Sequence, residues 1–182
     1  MVRSNLSFPS LIIILLFSVF IYNGCQQQEQ RTYTDAELQT IMDSNTQLWN
    51  GGSVDLVDAL YAEGCVRHNA DVGDSEGPEG VKEFVKWVYT AYPDFKVTFD
   101  ERFEFKDRLI SHWKAVGTNN GPLNENMPAT GKKVSFSGIG MSVIENGKIT
   151  EEWVYYNQLA VYAQMGYELV IKAKEEEVKE KD

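Results

Sequence analysis

Apolar positions along the chain recur first at helical spacing and then, after Pro93, in alternation. Thr34-Asp-Ala-Glu37 has the form of a capping box, in which side chains satisfy the first backbone N–H groups of a helix. Leu38, Ile41, Leu48 and Trp49 follow at the spacing of one helical face, and the "NGG" run at 50–52 ends it. Ser53 predicts the start of a second, shorter helix with Leu56, Val57, Leu60 and Tyr61 on one side. "CVRHN", 65–69, reads as a short strand, and the acidic, glycine-rich "DVGDSEGPEG" as a loop. Pro78 suits the first turn of a third helix. That helix buries Val81, Phe84, Val85 and Val88 and stops before Pro93.

Beyond Pro93 the period is two. "FKVTFDERFEF" sets Val97, Phe99, Phe103 and Phe105 against charged neighbours, as side chains on opposite strand faces require. "LISHWKAVGT" and "KKVSFSGIGMSVIE" continue the sheet on either side of a Gly/Pro/Asn-rich loop at 119–131. Asn146-Gly147 predicts a two-residue hairpin turn, because both positions tolerate positive φ. "KITEEWVYYN" closes the sheet, and "QLAVYAQMGYELV" returns as a helix. Helices followed by strands predict an α+β fold: a cone-shaped, curved antiparallel sheet with helices packed on one face. Such a cone encloses a pocket.

The first residues belong to a different problem. "LIIILLFSVFI", 11–21, is too short to cross a hydrocarbon core that needs roughly 20 helical residues. With Arg3 ahead of it, it reads as an export signal. Gly24-Cys25 resembles a bacterial lipobox, which implies acylation at Cys25. The expected division is a signal peptide at 1–24, a tether at 25–33, a folded domain at 34–172 and a charged tail at 173–182. The expected location is a bacterial cell membrane, outside the cytoplasm and held by the lipid. With 17 basic and 27 acidic residues, a net charge of −10, the chain has little attraction for nucleic acid or anionic headgroups. If Cys25 is acylated, Cys65 has no partner for an intrachain disulfide and reads as a small buried apolar group.

Candidate chemistry concentrates on a few positions. Trp49, Tyr61, Phe84, Trp87, Trp113, Phe136, Trp153 and Tyr155 are expected to wall the pocket, although core packing explains aromatics at these spacings as well. His112 and Trp113 are strand neighbours and face opposite ways, so a pocket-lining Trp113 turns His112 outward. Glu151 and Glu152 alternate as well, so one of them faces inward, and Glu152 is the candidate carboxylate base. One histidine beside Asp71 and Asp74 is not a metal-ligand pattern. There is no phosphate-cradling loop and no Gly-x-Ser-x-Gly elbow.

"LYAEGCVRHN", "GVKEFV", "YPDF", "GTNNGPL", "PATGKKVSFSGI", "GKITEEW" and "YYNQL" occur in an order that resembles the SnoaL-like polyketide cyclase or ester cyclase group of the nuclear-transport-factor-2-like superfamily. The likeness runs over about residues 35–168. It implies a cone-shaped barrel, often dimeric through its sheet, and ring closure by aldol chemistry without metal or organic cofactor. Such chemistry removes a proton alpha to a carbonyl, so it needs a base, a donor for the enolate oxygen and walls that exclude water. His68 matches a histidine often found on this strand, which implies a proton shuttle or carbonyl donor; a structural hydrogen bond is the competing role. Two features depart from the family. "PATGKKVSFSGIGMSV" has no acid where the cyclases carry an aspartate, and Asn119 stands where many relatives have histidine. The expected function is therefore cyclisation, isomerisation or hydrolysis of a small, hydrophobic carbonyl compound. The alternatives are a non-catalytic ligand-binding lipoprotein or a dimeric interaction module.

Overall fold

Thr34 opens the first helix, α1 (Asp35–Gly51), as its capping box predicts. Its hydroxyl accepts from the Glu37 amide at 3.2 Å, and the Glu37 carboxylate accepts from the Thr34 amide at 2.7 Å. The computed structural model describes residues 31–168 and 170, so the proposed signal segment, Cys25 and the charged tail lie outside the described residues. Gly52, at φ 64°, ends α1 in the left-handed region that glycine occupies without strain. A turn of 3-10 helix at Val54–Leu56 leads to α2 (Val57–Leu60). This helix is shorter than the spacing predicts, because Tyr61 already belongs to strand β1 (Tyr61–Asn69).

The acidic segment is not wholly loop. Ser75–Glu76 forms β2, antiparallel to β1, and Gly77, at φ 64°, turns it into α3 (Gly77–Ala91). Then come β3 (Lys96–Glu104), β4 (Arg108–Thr118), β5 (Lys133–Glu145), β6 (Lys148–Tyr156) and α4 (Gln158–Met165). Asn146 and Gly147 both take positive φ between β5 and β6, as the hairpin turn requires. The six strands form one curled sheet in the order β2-β1-β6-β5-β4-β3. All pairings are antiparallel except β1 with β6, which is parallel. Parallel pairing needs a long crossover, and here the chain from α3 to β5 supplies it.

Helices and sheet share one core. Leu48, Val81 and Val85 from the helices meet Ala115, Val134, Ile144 and Ile149 from the strands, none more than about 1% exposed. Burying each such aliphatic side chain contributes about 1.5–3 kcal/mol. One departure from simple alternation matters. A bulge at Asp100 shifts the β3–β4 register, so Phe99 pairs with Trp113 but Phe103 pairs with Ile110. Val97 and Phe99 therefore face inward, whereas Phe103 and Phe105 are exposed.

The 119–131 loop is tied to the end of α3. The Asn119 side chain, fully buried, donates to the Gly121 carbonyl at 2.8 Å and accepts from the Thr130 amide and hydroxyl at 2.8 and 2.9 Å. Asn120 and Gly121 donate backbone N–H groups to the Ala91 carbonyl, each at 3.1 Å, which satisfies a helix-end acceptor. At the same end of β4, Asp94 braces the Thr118 amide and hydroxyl at 2.6 and 2.7 Å, and these bonds hold its carboxyl below the usual aspartate range.

Candidate active site

Three helices close the concave side of the sheet without filling it. Asn45 and Trp49 reach in from α1, Phe84, Trp87 and Val88 from α3, and Gln158 and Val161 from α4, each set at helical spacing. Between them and the sheet lies a cavity of about 100 Å³. Its walls are largely aromatic. Trp113 meets Phe136 and Tyr156 edge to face, both at 5.8 Å between ring centroids, and Phe136 lies 5.2 Å from Tyr156. Gly138 on β5, lacking a side chain, lets the Trp113 ring lie directly over its backbone.

The polar part of the site comes from two neighbouring strands. Along β1, Cys65, Arg67 and Asn69 turn inward and are buried. Along β6, Glu152 and Val154 do the same, and the half-buried Tyr156 lines the cavity beside them. The parallel register sets Arg67 opposite Glu152, and Arg67 Nε lies 2.9 Å from Glu152 Oε2. Both side chains are more than nine-tenths buried. Tyr61 donates its hydroxyl to the same oxygen at 3.0 Å, while Ser142 donates to Oε1 at a longer 3.3 Å. The guanidinium carbon sits 4.4 Å from the Phe84 ring centroid and 5.3 Å from that of Trp49, so aromatic faces stabilise the cation.

Burial acts on the phenols around this site. It pushes Tyr61 well above its usual 10, with the Glu152 charge adding to the effect. Burial also raises Tyr92, to about 12. At Tyr156 burial raises the pKa while the Asn69 amide and Arg67 partly offset it. All three stay protonated donors at neutral pH.

The structure brings Trp49, Phe84, Trp87, Trp113, Phe136 and Glu152 to the cavity. Tyr61 lies behind Glu152 rather than on the wall. His68, Trp153 and Tyr155 are elsewhere. Strand alternation puts them on the outer face of the sheet, opposite to Arg67, Glu152 and Tyr156. His68 therefore does not reach the cavity. Its ring stacks on Trp153 at 5.2 Å and bonds Asp74 through Nδ1 at 2.9 Å and Glu151 through Nε2 at 3.1 Å. His112 also faces outward, with Nδ1 3.6 Å from Asp100. Among the described residues no three His, Cys, Asp or Glu side chains gather as metal ligands would.

Arg67, Asn45, Gln158 and Ser142 are site residues that the sequence reading did not single out. For Arg67 a signal was present. A buried Cys65 implies an inward Arg67 and an outward His68, the argument that separates His112 from Trp113.

His68 holds the acidic loop to the sheet rather than serving the cavity. Desolvation lowers its pKa, but the Asp74 and Glu151 hydrogen bonds and charges together lift it above 6.5. A pKa raised on folding stabilises the fold fully below the unfolded value, and that contribution is lost as pH rises through the folded value. The unfolding midpoint should thus fall between about pH 6 and pH 8 more in the wild type than in His68→Gln. An NMR titration placing the His68 ring at or below 6.5 would contradict this.

The sequence profile of the SnoaL-like polyketide cyclases matches residues 39–165. No curated protein matches the chain significantly. Among solved structures, TsrD from Streptomyces laurentii is 22% identical, with a TM-score of 0.66, over 74% of this chain and 98% of its own. A protein of Jannaschia sp. CCS1 described as SnoaL-like is 17% identical, with a TM-score of 0.64, over 75% of this chain and 98% of its own. An epoxide hydrolase of the LEH-like type from M. tuberculosis is 13% identical, with a TM-score of 0.57, over 71% of this chain and 85% of its own. These likenesses establish the fold, and the profile match establishes the lineage: the chain belongs to the SnoaL-like polyketide cyclase family.

Proposed function

We propose that the protein is a cofactor-free acid–base catalyst acting on a small carbonyl compound held in the aromatic cavity. The observation that carries this reading is the buried Glu152–Arg67 ion pair set in a largely aromatic wall. Glu152 stands in for the sheet aspartate that the family's cyclases use and that β5 lacks.

The chemistry follows from the two groups. Among the described residues, Oε1 of Glu152 has only the long Ser142 hydrogen bond and is the freer oxygen. It takes a proton from the carbon alpha to the carbonyl. The C–H electron pair forms the enolate double bond, and the carbonyl pair moves onto oxygen beside the Arg67 guanidinium. Positive charge fixed in a dry site stabilises that developing anion without reorganising. In a substrate with a carbon–carbon double bond next to the alpha carbon, the enolate is a dienolate and the proton returns to the far end of that bond, giving isomerisation. Alternatively the enolate carbon attacks a second carbonyl of the same molecule, and Glu152 protonates the new alkoxide, giving ring closure. Tyr61, kept protonated, holds Oε2 in place throughout.

A second reading, ligand binding without turnover, is favoured by one observation: with His68 on the outer face, no imidazole lines the cavity. Acetophenone in deuterium oxide separates the two. The wild-type chain should speed exchange of the methyl hydrogens over buffer, and Glu152→Gln should slow it about 100-fold or more. Wild-type exchange at the buffer rate would remove the catalytic reading and leave the binding one.

A further inference from the structure

The cavity contains buried polar atoms that no group among the described residues satisfies, both donors and acceptors. On β1, Arg67 Nη1 has no hydrogen-bond partner among the described residues. Its Nε, though at ion-pair distance from Glu152, is not aligned as a hydrogen bond. On the helices, Gln158 Oε1 and Asn45 Oδ1 are buried acceptors with no donor among the described residues. Arg67 is 5% exposed and Gln158 8%, and both line the cavity. Buried polar groups are almost always paired, because losing water without gaining a partner is costly. An apolar ligand would leave these atoms stranded.

From this pattern we infer that the ligand is an uncharged ring compound bearing two different polar groups. A carbonyl oxygen accepts from Arg67 Nη1, and a hydroxyl donates to Gln158 Oε1, with Asn45 Oδ1 as a second acceptor. The ring lies among Phe84, Trp113 and their neighbours. The inference rests on the reading that this cavity is the ligand site, and it adds what the site selects.

Charge decides against an anionic ligand. Glu152 already neutralises Arg67, so a carboxylate on Nη1 would sit beside another carboxylate in a low-dielectric site, where like charges repel strongly. A net charge of −10 on the whole chain opposes anions further. Gln158 thus becomes the specificity-determining residue. A site built to bond a hydroxyl rejects an analogue lacking it, because its own acceptor is then left unpaired.

Calorimetric titration of the full chain with three probes tests this. Para-hydroxyacetophenone should bind at least about tenfold tighter than acetophenone, which lacks the hydroxyl, and at least about tenfold tighter than para-hydroxybenzoate, which is anionic. In Gln158→Leu the preference between the two ketones should shrink to about twofold or less. The comparison of probes on the unmodified chain decides the matter even where that variant does not fold. Equal affinity for the two ketones, or tightest binding of the carboxylate, overturns this inference and leaves the cavity as a binding site. Binding of neither ketone overturns the cavity reading as well.

Discussion

Exchanging Arg67 for methionine should lower the unfolding free energy by about 3–5 kcal/mol at neutral pH, the largest effect expected of any single change in the site. The cause is what the substitution leaves behind. Glu152, 6% exposed, would keep its Tyr61 and Ser142 hydrogen bonds but lose the positive charge 2.9 Å from Oε2. A buried carboxylate without a counter-charge is costly, so the deficit should shrink as pH falls and the carboxyl is protonated. The double variant Arg67→Met, Glu152→Leu should recover most of the loss, because replacing both partners by apolar groups removes the desolvation cost along with the attraction. Denaturant unfolding at several pH values measures all of this. A loss under about 1 kcal/mol for the single variant would mean that the pair behaves as an exposed one.

Gly138→Ala is expected to cost about 3 kcal/mol and to reshape the cavity. A Cβ at this position would overlap the Trp113 ring and the Tyr155 carbonyl oxygen. The indole can move only towards the cavity or against Phe136 and Tyr156, with which it is already in edge contact. The carbonyl belongs to β6 and cannot yield without disturbing the β5–β6 ladder. Gly140→Ala is the natural control, two residues along the same face. There the nearest atom is Trp113 Nε1 at 3.8 Å, ordinary van der Waals contact, and the change should cost less than about 1 kcal/mol. Equal stability of the two alanine variants in chemical denaturation would show that Trp113 does not lie over Gly138.

Much of this architecture is readable from residue order. The α1 capping box, the Pro78 helix start and the Asn146-Gly147 turn are local events, settled by atoms a few positions apart. Periodicity likewise marks Leu38, Ile41, Val81 and Val85 as core, since a helical face repeats whatever it packs against. That His112 and Trp113 face opposite ways follows from alternation alone. The same rule applied from Cys65 would have set Arg67, not His68, on the cavity side.

What sequence order determined by itself, then, is the α+β class, the main elements without the short β2, and which residues share a face within an unbroken helix or strand. Those depend on backbone geometry that repeats within each segment. Tertiary structure decided the rest: the parallel β1–β6 register that sets Arg67 against Glu152, the bulge at Asp100 that exposes Phe103, and the meeting of Gln158 with Asn45 around one cavity. Each brings together groups from distant parts of the chain. Contacts of that kind come from how segments pack against one another, and no local spacing encodes them.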